Sequence, residues 1–190
     1  MSSKTSDPRA TYRLTMLGLM TAIAFVGNYI RFPFLGSQIA VSNALCALCG
    51  MILGPWYGFA AAGLGSFLYD LTAGYGAEGL ITLGSKGAIA LVAGLICAPR
   101  IRKPNLNTKD FLILVLGAAL GAVVYVALYM LKTYVFGITV NGLTSDGAVA
   151  KMLTKLPASS INAVFAAVAA PLLMRALHSP LHKMGVLTRE

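Results

Sequence analysis

The chain has 190 residues, of which 57% are hydrophobic and only 11% charged, and its mean hydropathy is +0.77. An ordinary soluble domain carries about a quarter charged residues, so that class is excluded, and apolar runs of about twenty residues recur as in membrane-spanning helices. The formal charge of +9 would suggest nucleic acid in a soluble protein. Here the basic residues sit mainly in tails and loops, where membrane topology and lipid headgroups account for them, and no nucleic-acid partner is expected.

In chain order, residues 1–11 read as a polar tail without a cleavable signal pattern. Span 1 runs from about Tyr12 to Ile30. The segment RFPFLGSQIA follows, where Pro33 and Gly36 break the helix and the aromatics suit an interface or a lid. Span 2, about Val41 to Leu53, ends at Gly54-Pro55, and span 3, about Trp56 to Ala73, follows at once, so the two form a tight hairpin. The turn GYGAEG leads to span 4, about Leu80 to Ala98, and PRIRKPNLNTKD is a polar loop. Span 5 covers about Phe111 to Phe136, GITVNGLTSDGAVAK reads as a long Gly-rich loop, and span 6 covers about Leu156 to Leu177. Residues 178–190 read as a basic tail in which His178 and His182 are solvated rather than metal ligands. Cys46, Cys49 and Cys97 fall in apolar runs, where cysteine acts as a small buried hydrophobe. No metal or cofactor is expected.

With both termini inside, the inner segments hold Lys4, Arg9, Arg13, Arg100, Arg102, Lys103, Lys109, Arg175, Lys183 and Arg189. The outer ones hold Arg31, Lys132, Lys151 and Lys155. Ten against four favours both ends in the cytoplasm. The expected architecture is therefore all-α: a single domain, 1–190, made of six transmembrane helices.

The polar residues of the spans are one-sided. The inner halves, such as ALCGMILG and FLILVLGAALGA, are apolar or small. The outer halves hold Asn28, Asn43, Asp70, Thr82, Ser85, Lys86, Tyr125, Tyr129, Lys132, Ser159 and Asn162. Polar groups at membrane depth face a bundle interior or a wet cavity, so this distribution predicts a pocket open to the outside and closed below. Thr82, Ser85 and Lys86 share a helical face, as do Tyr125, Tyr129 and Lys132 or Thr133, and Ser159 and Asn162. With Arg31 added and Asn28 left aside, these residues form the candidate substrate site. Interhelical hydrogen bonding is the bland alternative for each of them. Lys86 pairs with Asp70, meets an anionic ligand group, or does both, and Glu78 in the outer turn closes the site or, the favoured reading, is solvated. In the inner halves Gly18 and Ala22, Gly117 and Gly121, and Ala163, Ala166, Ala167 and Ala170 form small-residue faces for close helix packing, or in span 1 for docking another subunit.

No GxxxxGK[ST] phosphate loop is present, nor HExxH or GxSxG, so no ATP-harvesting or enzymatic function is expected. The run GMILGPWYGFAAAGLGSFLYDLTAGYGAEGLITLGSKGAIALVAGLI resembles the substrate-binding S-components of energy-coupling factor (ECF) vitamin transporters. The likeness rests on Gly54-Pro55, Gly58, Gly65, Asp70-Leu71, Gly74-Tyr75, Lys86-Gly87 and Ala93-Gly94, and on size and span count over the whole chain. It implies a six-helix subunit in a prokaryotic plasma membrane that binds a vitamin or vitamin precursor. It also implies work with a transmembrane coupling subunit and two cytoplasmic ATPases. Family sites lie in the loop after span 1 and the outer parts of spans 4 to 6, and an AxxxA-like motif in span 1 touches the coupling subunit. Its nearest match here is Gly18 and Ala22, with glycine for the first alanine. The S-component is held to topple in the bilayer to release its ligand.

Lys86, Lys132 and Arg31 outnumber Asp70, which leans toward a carboxylate ligand such as pantothenate; pyridoxine, hydroxymethylpyrimidine, riboflavin and folate stay open. The competing functions are a stand-alone channel or carrier, which needs polar inner halves, and an assembly subunit without a ligand.

Overall fold

The computed structural model describes residues 8–34, 37–76 and 78–187. Residues 1–7 and 188–190 of the expected tails, with Lys4 and Arg189, lie outside these, as does Gly36, an expected helix breaker. Each of the six expected segments is a helix: α1 (Pro8–Gly27), α2 (Ser42–Leu53), α3 (Pro55–Thr72), α4 (Glu78–Ile101), α5 (Thr108–Thr139) and α6 (Ser145–Lys183). By length and composition, α4, α5 and α6 are long and apolar enough to cross a membrane.

The all-α expectation needs one correction. The segment after α1 pairs with itself as an antiparallel hairpin, β1 (Arg31–Phe34) and β2 (Ser37–Ala40), with Arg31 opposite Ala40 and Pro33 opposite Gln38. Its far edge is tied to the bundle. Asn162 on α6 accepts the Ala40 N–H at 2.8 Å and donates to the Gln38 carbonyl at 2.8 Å. One side-chain amide thus does for this strand what a third strand would do.

The core is organised around α2. At 12 residues it rises only about 18 Å, and ten of its residues are buried against α1, α3, α4 and α6. Small side chains permit this: Ala44, Cys46, Ala47 and Cys49 have no exposed surface. Gly54 joins α2 to α3 at φ 79°, a left-handed conformation that favours glycine, and Pro55 then starts α3. The GxxxG face of α5 packs inside the molecule, Gly117 against Cys97 and Ile96 of α4 and Gly121 against Ile89. Ala166 and Ala170 of α6 are core residues too.

Two loops are shorter than expected. The helix α6 begins at Ser145, eleven residues before the expected Leu156, because Thr144 caps it by accepting the Gly147 N–H at 3.3 Å. At the other end of the bundle, α5 starts where the Asn107 N–H donates to the Asp110 carboxylate at 3.3 Å, and Lys103 reaches the same group at 2.8 Å. The tails are shorter as well. The first helix starts at Pro8 and the last runs to Lys183, with Leu181 and Leu187 buried. His178 is therefore not solvated: it is buried, and its Nε2 lies 2.9 Å from the Ile101 carbonyl oxygen. A helix end leaves carbonyls unsatisfied, and the last turn of α4 presents this one to the imidazole.

Candidate functional site

The C-terminal ends of α1, α3 and α5, the N-terminal ends of α4 and α6, and the β-hairpin meet at one end of the bundle. They enclose a cavity of about 500 Å³. Ten of the eleven candidate residues line it: Arg31, Asp70, Thr82, Ser85, Lys86, Tyr125, Tyr129, Lys132, Ser159 and Asn162. The helical periods explain the convergence. Residues three and four apart on α4, α5 and α6 fall on one face, and in each helix that face turns to the same space. Asn43 does not line the cavity. It lies beneath it, 1% exposed, and holds Lys86.

Lys86 is the deepest charge. It is 5% exposed and its Nζ donates to Ser42 Oγ at 2.7 Å and to Asn43 Oδ1, at the first turn of α2. It also sits 5.1 Å from the centre of the Tyr125 ring, within the range of a cation–π contact. The expected alternative of a pair with Asp70 is therefore corrected: among the described residues no ion pair joins them. Two neutral oxygens from a neighbouring helix hold the ammonium instead, leaving one of its three donors.

The other charges sort by height. Lys132 pairs with Glu78 at 2.9 Å, so Glu78 is not merely solvated but ties the start of α4 to α5 at the rim. Arg31 donates through Nη1 to Gln38 Oε1 at 3.0 Å and through Nε to the Asn28 carbonyl, and its guanidinium stacks 4.1 Å from the Tyr69 ring centre. Of the three cations that lean the sequence toward a carboxylate ligand, Lys132 and Arg31 are thus engaged and Lys86 keeps one donor. Asn162, similarly, uses its amide on β2.

The aromatic wall is formed by Tyr125 and Tyr129, stacked with centroids 5.8 Å apart and ring planes 20° from parallel. Lys155 lies 5.5 Å from the Tyr129 ring centre. Several hydroxyls around the cavity donate to their own helix: Thr82 to Glu78 O, Ser85 to Thr82 O, Thr133 to Tyr129 O and Ser159 to Lys155 O, at 2.8–3.3 Å. Each keeps lone pairs for a donor from outside. Next below the Lys86 layer lies an apolar zone in which Cys46, Ala47, Ile89, Ala90 and Ala93 are fully buried.

Lining residues outside the candidate set include Asn28, Gln38, Tyr75, Thr133, Asn141, Lys151 and Lys155. Lys151 and Lys155 had a usable signal. With Ser159 they recur every fourth residue, a single helical face, once the helix is extended upstream of Leu156. Gln38 and Tyr75 had none, because a hairpin and a turn carry no periodicity that points to a cavity.

A search of curated protein sequences finds no match. The family model for the ECF-type riboflavin transporter, S component, matches residues 9–179. Among solved structures, the fold matches a chain described under "Structure and mechanism of the S component of a bacterial ECF transporter" with a TM-score of 0.65. The match covers 90% of this chain and 98% of that one at 20% identity, a likeness of fold. The matched family is one of transporter components, not of enzymes. This multi-pass membrane chain belongs to the ECF-type riboflavin transporter S-component family.

Proposed function

We propose that the chain is the substrate-binding subunit of an ATP-driven importer in a prokaryotic plasma membrane and that its ligand is riboflavin. The cavity carries this reading. Small-molecule sites are clefts of about 300–1,000 Å³ with aromatic walls and a few placed polar groups. This one has about 500 Å³, a stacked tyrosine pair and a buried ammonium. A flat tricyclic ring fits against Tyr125 and Tyr129, with its carbonyls toward Lys86. Riboflavin displaces the lean toward pantothenate because Arg31 and Lys132 are engaged within the protein and Lys86 keeps a single donor, and because the matched family is described by riboflavin. The lysine and arginine distribution supports placing the cavity end outside. A stand-alone channel would need a continuous line of polar groups through the other half, where alanine, cysteine, methionine and isoleucine of the core separate the cavity from His178 and Asp110 at the far end.

The test is to purify the chain in detergent, release any bound flavin by denaturation, and titrate riboflavin by quenching of its fluorescence. Saturable one-to-one binding, unaffected by pantothenate or pyridoxine, is expected. Absence of flavin binding alongside binding of another vitamin would overturn the ligand. Riboflavin uptake by liposomes containing this chain alone would overturn the subunit role.

Import would require a transmembrane coupling subunit and two ATPases, since the chain has no phosphate loop. Gly18 and Ala22 lie on the outward face of α1, and a side chain built at Gly18 would meet nothing within 4 Å. Gly18→Leu is therefore expected to leave the riboflavin Kd within about twofold, as for other substitutions on free surface. Capture of the coupling subunit, and uptake in cells, should be lost. Normal uptake by Gly18→Leu would remove this face from the docking surface.

A further inference from the structure

Two carboxylates line the cavity, and they differ. Glu78 is half-exposed at the rim and paired with Lys132. Asp70, near the end of α3, is 6% exposed, and among the described residues no hydrogen bond or ion pair engages its carboxylate. A buried carboxylate is costly unless hydrogen-bond donors or a counter-charge reach it. The neighbouring cations are directed elsewhere: Lys86 donates to Ser42 and Asn43, with one donor left over, and Arg31 to Gln38 and Asn28.

The ground around Asp70 has the same polarity. Gly79 lets α4 approach closely here, since a Cβ built on it would lie 3.3 Å from Asp70 Cβ. Thr82, one turn further along α4, and then Ser85 also line the cavity, and both hydroxyl protons go to their own helix. Asp70, Thr82 and Ser85 thus give the α3–α4 side of the cavity a carboxylate and two hydroxyl acceptors next to the Lys86 ammonium, whereas the rings of Tyr125 and Tyr129 lie across from them on α5. The complement of an acceptor-rich wall with a free carboxylate is a ligand segment bearing several hydroxyl donors.

We propose that Asp70 is a specificity-determining residue that accepts hydrogen bonds from the hydroxyls of the ligand's polyhydroxy chain, and so selects a flavin carrying that chain over one lacking it. This rests on the riboflavin reading above and adds the ligand's orientation: ring on Tyr125 and Tyr129, chain along Asp70 and Thr82. A site built to bond a hydroxyl discriminates strongly against an analogue without it, because its buried polar group is then left unpaired.

The experiment compares riboflavin with lumiflavin, the same ring bearing a methyl group in place of the ribityl chain, on the wild type and on Asp70→Asn. Both are titrated by fluorescence quenching in detergent. Asp70→Asn is expected to raise the riboflavin Kd by about tenfold or more, and to leave the lumiflavin Kd within about twofold, so that the wild type's preference for riboflavin collapses. An equal loss for both ligands, or no loss for either, overturns the assignment while the riboflavin reading stands. Failure of the wild type to bind riboflavin overturns that reading, and this one with it. If Asp70→Asn does not fold, Asp70→Ser takes its place. Lumiflavin binding to the wild type as tightly as riboflavin overturns the assignment without any variant.

Discussion

Replacement of Lys86 by methionine is expected to raise the riboflavin Kd tenfold or more, about 1.4 kcal/mol, and to lower the thermal midpoint as well. The ammonium has two jobs that separate in principle. Downward it holds Ser42 and Asn43, which are 0% and 1% exposed. Upward it offers its remaining donor to the cavity beside Tyr125. Methionine fills the stem's volume but leaves the Asn43 oxygen without its donor, at about 1–3 kcal/mol for a stranded buried polar group. Removing both partners with apolar groups of similar shape can be nearly neutral. The double variant Lys86→Met with Asn43→Leu should therefore recover most of the lost midpoint while still binding riboflavin poorly. Both are read by thermal unfolding and fluorescence titration on the same preparations. If Lys86→Met lowers the midpoint with an unchanged Kd, the lysine serves only the scaffold.

Gly50→Ala is expected to prevent folding, although it adds a single methyl group to a helix that alanine otherwise favours. A Cβ at position 50 of α2 would lie 1.9 Å from the Ala90 carbonyl oxygen of α4, and 2.6 and 2.8 Å from the carbonyl carbon and Cα. These are backbone atoms, so no rotamer change relieves the clash. Gly58 of α3 crosses the same point, where its own Cβ would come within 2.5 Å of Gly50 Cα. Three helices meet without side chains between them, and forcing them apart would undo the packing of α2. We expect a loss above about 4 kcal/mol, the range reserved for such core faults. The measurement is the yield of monodisperse protein in detergent. Gly84→Ala on α4 is the control, since a Cβ there meets nothing within 4 Å. It should be neutral or stabilising by about 0.5–1 kcal/mol. A wild-type yield and midpoint for Gly50→Ala would show that α2 and α4 can separate at this crossing.

The hairpin, the early start of α6 and the burial of His178 were the parts of the fold that sequence reading missed. Each has a local cause. RFPFLGSQIA is short and interrupted by Pro33 and Gly36, so it does not signal a strand against a background of helices, and the residue that ties its edge to the bundle is Asn162, 122 residues after Ala40. Thr144 is an adequate N-cap, but the glycines that flank it read as loop. His178 looks like tail because the carbonyl that satisfies it belongs to Ile101, 77 residues earlier.

What the sequence by itself determined was class and the gathering of polar groups at one end of the helices. Apolar runs of membrane length, with small residues in one half of each helix and polar ones in the other, are properties of composition along each helix, and helical periodicity alone turns Ser85 and Lys86, Tyr125 and Tyr129, and Ser159 and Asn162 toward a common space. What only the tertiary structure decided was partnership. Asp70 and Lys86 are the obvious couple in the sequence, an acid and a base sixteen residues apart across one turn. Yet Ser42 and Asn43 stand nearer to the ammonium because α2 packs tightly against α4, with Gly50 and Ala90 in contact further down the same pair of helices. Partnership depends on how closely two helices approach, and that distance is set by glycines and alanines far from the charges themselves. For the same reason the carboxylate of Asp70 is left facing the cavity.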